Sequence, residues 1–576
     1  MVRTVKSFTK IQTARIAALL VLAALLGAGV QVAMAEESTM TIAIGDRAGI
    51  GTDPTLGSKA FPDIGGIKFH HYYTHWEPLI TYDNRSNIIP WLAESYEVSD
   101  DHKTITFQLR KGITFADGKS LNASVLKFNF DRVITYGCVK IGRDQKWPIF
   151  IYYDHSEAVD EYTLKLYFTQ GWLDILRDFI SNSGDGYFIH PEDVDPAWDV
   201  QGKLKPEKRF NGLGPYYVDE NESIPDQKVV LKRRHSWRDD YDFHKPKLDQ
   251  IVLSLIKDTQ VAAMALENGE VDYICRNWNV PLDLLPALEK NPTVSFKTAP
   301  DCRMYYLATA YWKEPFNGTD GILLRTAICY ALNRTELVEG ALNGYAQPAT
   351  DAMFLSPLRA DSPECCHKGY GYDLDKPKKL LVEAGWKDTD GDGILDKNGK
   401  SLKDLDFVIT TSSDLLWQKD LAQVVQSQLK EIGIDVRIRM LEWGAYSDTT
   451  YDGDYDIKMS YNYGASNSAI LELKSFNLDG AAYNPWTNLK GAPINRYINQ
   501  NKTLATILET AEMADSKEEQ EEYLCQACNI LYEEAGIIPL VYEMQYAVMN
   551  SKVKGFQFGV SKYFYYTDRV EVCWIE

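Results

Sequence analysis

The sequence has no excess of positive charge. It contains 61 lysines and arginines against 81 aspartates and glutamates, which gives a formal net charge of −20 at pH 7. Proteins that bind nucleic acid present a basic surface, because much of their affinity comes from neutralising phosphates. This charge balance therefore argues against nucleic acid as a partner.

The sequence also lacks the compact signatures of common exported hydrolases. It has no Gly-x-Ser-x-Gly nucleophile motif and no His-Glu-x-x-His zinc motif. Internal repeats of the kind that build surface adhesins are absent too. We therefore expect a protein that is not an enzyme, with an exported hydrolase acting on peptides, or a calcium-stabilised surface protein, as the alternatives.

A long apolar run occurs only at the amino terminus. Basic residues from Arg3 to Arg15 precede it, and it ends in Ala33-Met34-Ala35, a small-residue cleavage pattern. We expect residues 1–35 to be a signal peptide; the run is also long enough to be kept as a membrane anchor. Either way the rest of the chain is expected to be extracytoplasmic, in the periplasm or at the cell surface.

Strand and helix patterns alternate along the remaining chain. Ile105, Phe107 and Leu109 alternate with polar residues, which indicates a half-buried strand. Further along, a helical apolar stripe over residues 421–432 ends at Gly433 and gives way to an alternating strand pattern. Because 576 residues exceed one hydrophobic core, these patterns predict an α/β protein with two or more lobes.

Six segments carry a more specific pattern, in this order: "WEPLITYDNRSNIIPWLAESYEVSDDHKTITFQLRKGITFADGKSLNA", "GLGPYYV", "AMALENGEVDYI", "RTAICYALNRTELVEGALNGYAQPA", "YDLDKPKKLLVEAGWKD" and "LAQVVQSQLKEIGIDVRIRMLEWGAY". Together they resemble the extracytoplasmic solute-binding proteins of the peptide/nickel ABC importers, family 5. The resemblance implies a two-lobed periplasmic-binding-protein-like α/β fold, with an extra subdomain in the first lobe and a hinge between the lobes.

The same resemblance implies a domain order and a role. After the signal peptide we expect lobe I to consist of three separate stretches, residues 36–68, 206–299 and 539–576. The extra subdomain, residues 69–205, would interrupt lobe I first, and lobe II, residues 300–538, would interrupt it second. Such a protein would hold an oligopeptide or a nickel or metal-chelate solute between its lobes. It would deliver the solute to an ABC permease with its ATPase, as a monomer that requires no cofactor.

Candidate ligand-binding residues follow from the resemblance. In peptide-binding members a carboxylate comes after a Trp-Gly motif, whereas this chain has Tyr463-Gly464 and no aspartate directly after it. The Arg-Pro element of nickel-type members is missing before "FIHP", so peptide and metal chelate both stay open. The residues implied to contact solute are Phe69, His70, Arg143, Trp147, Tyr461, Tyr463 and Asn467.

The stretch "DTDGDGILDKNG" resembles the start of a calcium-binding loop. Candidate ligands at loop positions 1, 3, 5, 7 and 9 are Asp388, Asp390, Asp392, the carbonyl of Ile394, and Asp396. Position 12 is Gly399, where a calcium sensor needs a bidentate glutamate. The pattern therefore excludes a sensor and leaves two alternatives, a structural calcium site and a solvated Asp/Gly turn.

The nine cysteines include a Cys-x-x-Cys pattern at Cys525 and Cys528. The surrounding sequence predicts a helix, and no second pair of cysteines or histidines follows at the spacing of a zinc knuckle. We therefore expect these two side chains to pack in the helix interface. The sequence leaves the pairing of all the cysteines open.

Overall fold

The computed structural model describes most of the chain in separate ranges. These are residues 38–45, 77–82, 87–135, 152–182, 188–194, 208, 211–224, 227–235, 237, 245–275, 280–350, 363–411, 417–461, 469–470, 473, 502–558 and 570–576. Within these ranges, no helix is both long enough and apolar enough to cross a membrane.

Strands and helices alternate through these ranges, so the prediction of an α/β protein is confirmed. The strands are β1 (Thr39–Ile44), β2 (Ile80–Tyr82), β3 (Ile88–Pro90), β4 (Ala93–Val98), β5 (Thr104–Leu109), β6 (Tyr153–Ala158), β7 (Thr163–Phe168), β8 (Tyr216–Val218), β9 (Lys228–Arg233), β10 (Gln250–Leu255), β11 (Tyr273–Ile274), β12 (Val294–Thr309), β13 (Ala346–Pro348), β14 (Asp396–Lys397), β15 (Lys400–Ser401), β16 (Leu405–Thr410), β17 (Val436–Leu441), β18 (Ile457–Tyr461), β19 (Ile538–Asn550), β20 (Val553–Lys554) and β21 (Trp574–Ile575).

The helices are α1 (Ala123–Thr135), α2 (Ile175–Asn182), α3 (Thr259–Glu267), α4 (Leu285–Lys290), α5 (Gly318–Ala331), α6 (Arg334–Glu336), α7 (Asp375–Glu383), α8 (Gln418–Lys430), α9 (Trp443–Asp452), α10 (Lys502–Glu512) and α11 (Lys517–Glu533). A π-helical turn, Leu337–Ala341, continues α6. Short 3-10 turns occupy Pro191–Asp193, Glu364–Cys366 and Val570–Val572.

Local sequence accounts for where several of these elements begin and end. The carboxylate of Asp258 accepts hydrogen bonds from the backbone N–H groups of Gln260 and Val261, both at 2.9 Å, and so caps α3. Beyond the end of α8, Gly433 adopts a φ of +81°, and a Cβ there would lie 2.6 Å from the side chain of Leu395. Glycine therefore permits the sharp change of direction from α8 to β17.

One large sheet organises the molecule. Its strand order is β17-β16-β18-β12-β19-β11-β1-β10-β9-β8, and β13 also pairs with β19. The two longest strands, β12 and β19, lie side by side in the middle and pair antiparallel. They join a first half, made of β11, β1, β10, β9 and β8, to a second half, made of β18, β16 and β17, so each half has a helix-covered core of its own.

A separate antiparallel sheet, with strand order β4-β5-β7-β6, lies outside the large sheet. Ile105, Phe107 and Leu109 point into its own hydrophobic core and are at most 3% exposed, which confirms the strand predicted from their alternation. α1 and α2 contribute residues to the same core. This sheet lies inside the range predicted as the extra subdomain, whose boundaries stay a prediction.

Two disulfides join the turn Glu364–Cys366 to α11. They pair Cys365 with Cys525 and Cys366 with Cys528. The predicted helix is present, but the expectation that the Cys-x-x-Cys side chains merely pack is wrong, since their partners lie 160 and 162 residues earlier in the chain. On the chain-entropy model, closing a loop of this size stabilises a fold by about 5 kcal/mol.

Candidate functional site

The parallel strands of the second half end together at one edge. β16 pairs in parallel with both β17 and β18, so Thr410, Leu441 and Tyr461 end their strands on the same side. In open α/β sheets, ligands bind beyond the carboxyl ends of parallel strands, where the strand order reverses. This edge is therefore a candidate for one wall of a site.

The first half presents a matching edge. β1 pairs in parallel with β10 and β11, and these strands end at Ile44, Leu255 and Ile274. Ile274 pairs with Val548 and Tyr273 with Met549, so β11 runs toward the lower-numbered residues of β19. The carboxyl edge of the first half therefore points toward the middle of β19.

Both edges meet where β12 and β19 pass from one half to the other. Tyr305 of β12 pairs with Tyr461 at the carboxyl end of β18, and Thr309 pairs with Ile457 further inside the second half. The register between β12 and β19 shifts between Pro300 and Met304. We name residues 300–305 of β12 and 541–546 of β19 the crossing segment; it forms the floor between the two carboxyl edges.

An ion pair lies in the crossing segment. Nη1 of Arg303 is 3.2 Å from Oε2 of Glu543, and the same nitrogen donates a 3.3 Å hydrogen bond to the hydroxyl of Tyr305. The Arg303 side chain is 11% exposed and that of Glu543 is 33% exposed. Reduced contact with water strengthens such a pair, and the paired oxygen Oε2 of Glu543 is itself buried although part of the side chain stays exposed.

Aromatic rings lie beside this ion pair. Cζ of Arg303 lies 5.0 Å from the ring centre of Tyr461, within the range of a cation–π interaction. The Tyr305 ring is 5.4 Å from that of Tyr461 and 4.6 Å from that of Trp417, which it meets edge to face. Tyr305 is 1% exposed and supports the other two rings from the core, whereas the half-buried rings of Tyr461 and Trp417 can contact a solute that has a flat or extended body.

Of the predicted ligand-binding residues, the structure describes Tyr461. Its half-buried side chain ends β18 and packs against Arg303 and Tyr305 in the cluster just described. The other predicted residues lie outside the described ranges, so their roles stay predictions; they are Phe69, His70, Arg143, Trp147, Tyr463 and Asn467.

Sequence reasoning did not single out Arg303, Tyr305, Trp417 or Glu543. No local motif joins them, because they come from β12, the start of α8 and β19. One signal was available: residues at the carboxyl ends of predicted parallel strands are candidates in any α/β sheet. That rule selects Tyr461, and its strand neighbours follow only once the strand order is known.

Three carboxylates of the aspartate loop converge. Carboxylate oxygens of Asp388, Asp390 and Asp392 lie within 4.8 Å of one another, and all three residues are exposed. Asp388 also accepts backbone hydrogen bonds from Gly391 at 2.7 Å and Gly393 at 3.1 Å. Three converging carboxylates offer the oxygen ligands that calcium prefers.

Other contacts compete with a cation in this loop. Nζ of Lys403 is 2.7 Å from Oδ2 of Asp392, and this hydrogen bond holds the pKa of that carboxyl below its usual value. Hydrogen bonds from Ser401 and Thr389 lower the pKa of Asp396, which pairs in the β14–β15 hairpin. Ile394 is 5% exposed and anchors the loop to the core of the second half.

The chain is similar to known proteins along most of its length. The family model "Bacterial extracellular solute-binding proteins, family 5 Middle" matches residues 87–484. The oligopeptide-binding protein AppA of Bacillus subtilis (strain 168) is 29% identical over 386 residues, 65% of this chain and 65% of that protein. The nickel-binding periplasmic protein of Escherichia coli (strain K12) is 26% identical over 414 residues, 71% of this chain and 73% of that protein.

A solved structure shows the same fold. The crystal structure of NikA from Brucella suis in complex with Fe(III)-EDTA superposes with a TM-score of 0.77 at 21% identity, and covers 93% of this chain and 100% of that one. The matched fold is that of the two-lobed periplasmic binding proteins, so the predicted two-lobed architecture is confirmed.

Proposed function

Because the chain belongs to the bacterial extracellular solute-binding proteins of family 5, we propose that it captures a small charged solute over the crossing segment, between its two lobes. The lobes close on the solute, and the closed protein delivers it to the permease of an ABC importer driven by an ATPase. Closure buries the solute from both sides, which supplies affinity and gives the permease a shape to recognise.

The observation that carries this proposal is the cluster on the crossing segment. Two sets of parallel strands direct their carboxyl ends toward the place where Arg303, Glu543 and Tyr461 lie together. The register shift of β12 at the same place gives a natural point for the lobes to bend. Recognition and closure would thus occur in the same segment.

The cluster favours a solute with at least one carboxylate. The guanidinium of Arg303 is planar and suits a carboxylate, while Glu543 can accept from an amino group. An oligopeptide terminus and a carboxylate chelate of a metal both meet this requirement. These are the two solute classes that the sequence left open. One of the two relatives above is named as an oligopeptide-binding protein and the other as a nickel-binding protein.

Further contacts would come from the residues that the resemblance implies. Tyr463 and Asn467 follow Tyr461 in the sequence, where Asn467 offers both a donor and an acceptor in place of the carboxylate of peptide-binding members. Arg143 and Trp147 would approach from the extra subdomain. The protein would act as an exported monomer that carries out no reaction and requires no cofactor.

The test begins with the protein purified from its own host without refolding. Native mass spectrometry should detect a retained mass that matches a peptide or a metal chelate, and calorimetry should then show that this solute rebinds to emptied protein. Steady turnover of peptides by the purified protein would instead support the exported hydrolase. A protein that retains nothing and binds neither a peptide library nor nickel chelates would overturn the proposal.

A further inference from the structure

The two disulfides form a redundant link between one turn and one helix. Cys365 and Cys366 are adjacent in the turn Glu364–Cys366, while Cys525 and Cys528 lie one helical turn apart on α11. Once either bridge has formed, the loop of about 160 residues is already closed. The other bridge then closes a ring of only a few residues and restricts the unfolded chain little further.

The two bridges differ in their exposure. Cys366 and Cys528 are each 1% exposed and belong to the main core of the second half. Cys365 and Cys525 are half-buried, and Cys365 packs at the edge of that core. We call Cys366–Cys528 the inner disulfide and Cys365–Cys525 the outer disulfide. Thiol–disulfide exchange needs access to a sulfur atom, so the outer disulfide is the accessible one.

We propose that the outer disulfide is a site of reversible modification by small thiols, while the inner disulfide holds the turn against α11. A thiolate attacks Sγ of Cys365 or Cys525, the S–S bond breaks, and the released cysteine takes up a proton. The attacked cysteine then carries the small thiol in a mixed disulfide. A second thiolate attacks the sulfur of that small thiol, which releases a small-molecule disulfide and leaves both cysteines reduced.

The charges around the outer disulfide indicate which thiols it would accept. Glu521 and Glu522 precede Cys525 by four and three residues on α11, so both lie on its side of the helix. Glu364 directly precedes Cys365 and is exposed.

Two positive groups also lie nearby. Lys517 lies 3.7 Å from Glu521, and the amino group of Lys368 donates to Asn529 beside the ring of Tyr532. The three carboxylates of Glu364, Glu521 and Glu522 outnumber these two amino groups, so the approach to the outer disulfide has a net negative character. An aminothiol should be favoured there and an anionic thiol disfavoured.

The main test uses the folded wild-type protein, so it depends on no variant. The protein is incubated with cysteamine, trapped with iodoacetamide, and mapped by peptide mass spectrometry. Cys365 and Cys525 should be labelled at least about tenfold faster than Cys366 and Cys528, with mixed disulfides on the outer pair. Equal labelling of both pairs, labelling of the inner pair first, or no labelling in the folded protein would each overturn the proposal.

Paired variants test the division of roles. Cys366→Ser with Cys528→Ser keeps only the outer bridge, and Cys365→Ser with Cys525→Ser keeps only the inner one. Cysteamine should lower the melting temperature of the first variant clearly and leave the second nearly unchanged. The melting temperature of wild type whose outer disulfide has been reduced should lie within a few degrees of that of wild type with both disulfides intact. A large drop for wild type would contradict the holding role of the inner bridge.

The class of thiol is tested by comparing cysteamine with 2-mercaptoethanesulfonate at equal thiolate concentration. Cysteamine should open the outer disulfide several-fold faster at low salt, and added salt should shrink the difference because it screens the carboxylates. The double variant Glu521→Gln with Glu522→Gln should also reduce the difference in rate between the two thiols. Equal rates at low salt would refute the assigned preference for aminothiols.

Discussion

Arg303 lies where β12 changes register, and its neighbours hold it on three sides. Glu543 pairs with its charge, the Tyr305 hydroxyl accepts its hydrogen bond, and the Tyr461 ring lies against the guanidinium. A long side chain that is fixed in this way loses little further freedom when it binds a ligand. Position and rigidity together make Arg303 the first residue to test in the crossing segment.

The first prediction is that Arg303→Gln weakens solute binding by about 1–3 kcal/mol, the usual range for a lost charge-assisted hydrogen bond. The measurement is calorimetry with the solute retained by protein from the native host. Arg233→Gln is the matched control, because Arg233 also forms an ion pair, with Asp249 at 2.6 Å, next to the amino end of β10, away from the crossing segment. Equal losses in both variants would mean that Arg303 has no special role in binding.

A second prediction concerns Asp272, whose half-buried carboxylate accepts a 2.8 Å hydrogen bond from the Thr41 backbone N–H. Burial raises the pKa of this carboxyl above its ordinary value of 3.8. The folded protein therefore holds this proton more tightly than the unfolded chain, and the stability that Asp272 contributes falls as pH rises through the raised pKa. Asp272→Asn should remove this fall, since the amide oxygen can still accept from Thr41.

The measurement is the free energy of unfolding of both proteins in urea between about pH 4 and about pH 8. The free energy of unfolding of Asp272→Asn should increase relative to that of wild type as pH rises. Asp219 gives the opposite control, because its hydrogen bond with Lys232 lowers its pKa. Asp219→Asn should lose stability against wild type near neutral pH, and this loss should shrink only toward the acid end of the range, because the lowered pKa of Asp219 lies below it. A pH-independent difference for Asp272→Asn would contradict the first expectation.

At the scale of elements, the aspartate loop is held in place by its own hydrogen bonds and by one buried side chain. It follows α7 and enters the β14–β15 hairpin, with Ile394 as its anchor in the core. The loop carboxylates accept hydrogen bonds from loop backbone groups, and Lys403 offsets part of their mutual repulsion. A structural calcium ion in this loop stays a prediction.

The third prediction is that calcium raises the melting temperature and that a chelator reverses the effect. Asp390→Ala should abolish the response and leave solute affinity nearly intact. Lys403→Met should raise calcium affinity a few-fold, because the amino group no longer competes for Asp392. Lys400→Met serves as control, since Lys400 pairs with Glu314 instead. Identical melting of wild type with calcium and with chelator would leave the loop a solvated turn.

At the scale of the whole molecule, two long strands connect the lobes through the large sheet. Motion between lobes must therefore bend β12 and β19, and the register shift in the crossing segment marks where the ladder is weakest. The two disulfides lie elsewhere, between a turn and α11 of the second half. The disulfides therefore stiffen one lobe, and they do not cross-link it to the other lobe.

The fourth prediction is that the solute draws the lobes together. Saturating solute should reduce the radius of gyration in X-ray scattering and raise the melting temperature, since it binds the closed folded state. The Arg303→Gln variant should need more solute for the same compaction. Tight binding with an unchanged radius of gyration and an unchanged melting temperature would rule out the two-lobed clamp.

Local patterns in the sequence were enough to predict the class of fold. The alternation of Ile105, Phe107 and Leu109 identified β5, and the stripe that ends before Gly433 identified α8 and the strand after it. These predictions succeed because burial on one face of a strand or helix imposes its own period on the side chains. The order of six segments likewise predicted the family.

The meeting of distant segments was decided only by tertiary structure. Nothing near Arg303, Trp417 or Glu543 in the sequence marks them as neighbours, and the pairing of Cys365 with Cys525 was equally hidden. The cluster depends on which strands lie side by side and where β12 and β19 cross between the lobes, and the cysteine pairing depends on how the turn Glu364–Cys366 packs against α11. A periodic pattern states which face of an element is buried but not which other element covers it, so the contents of the site had to come from the fold.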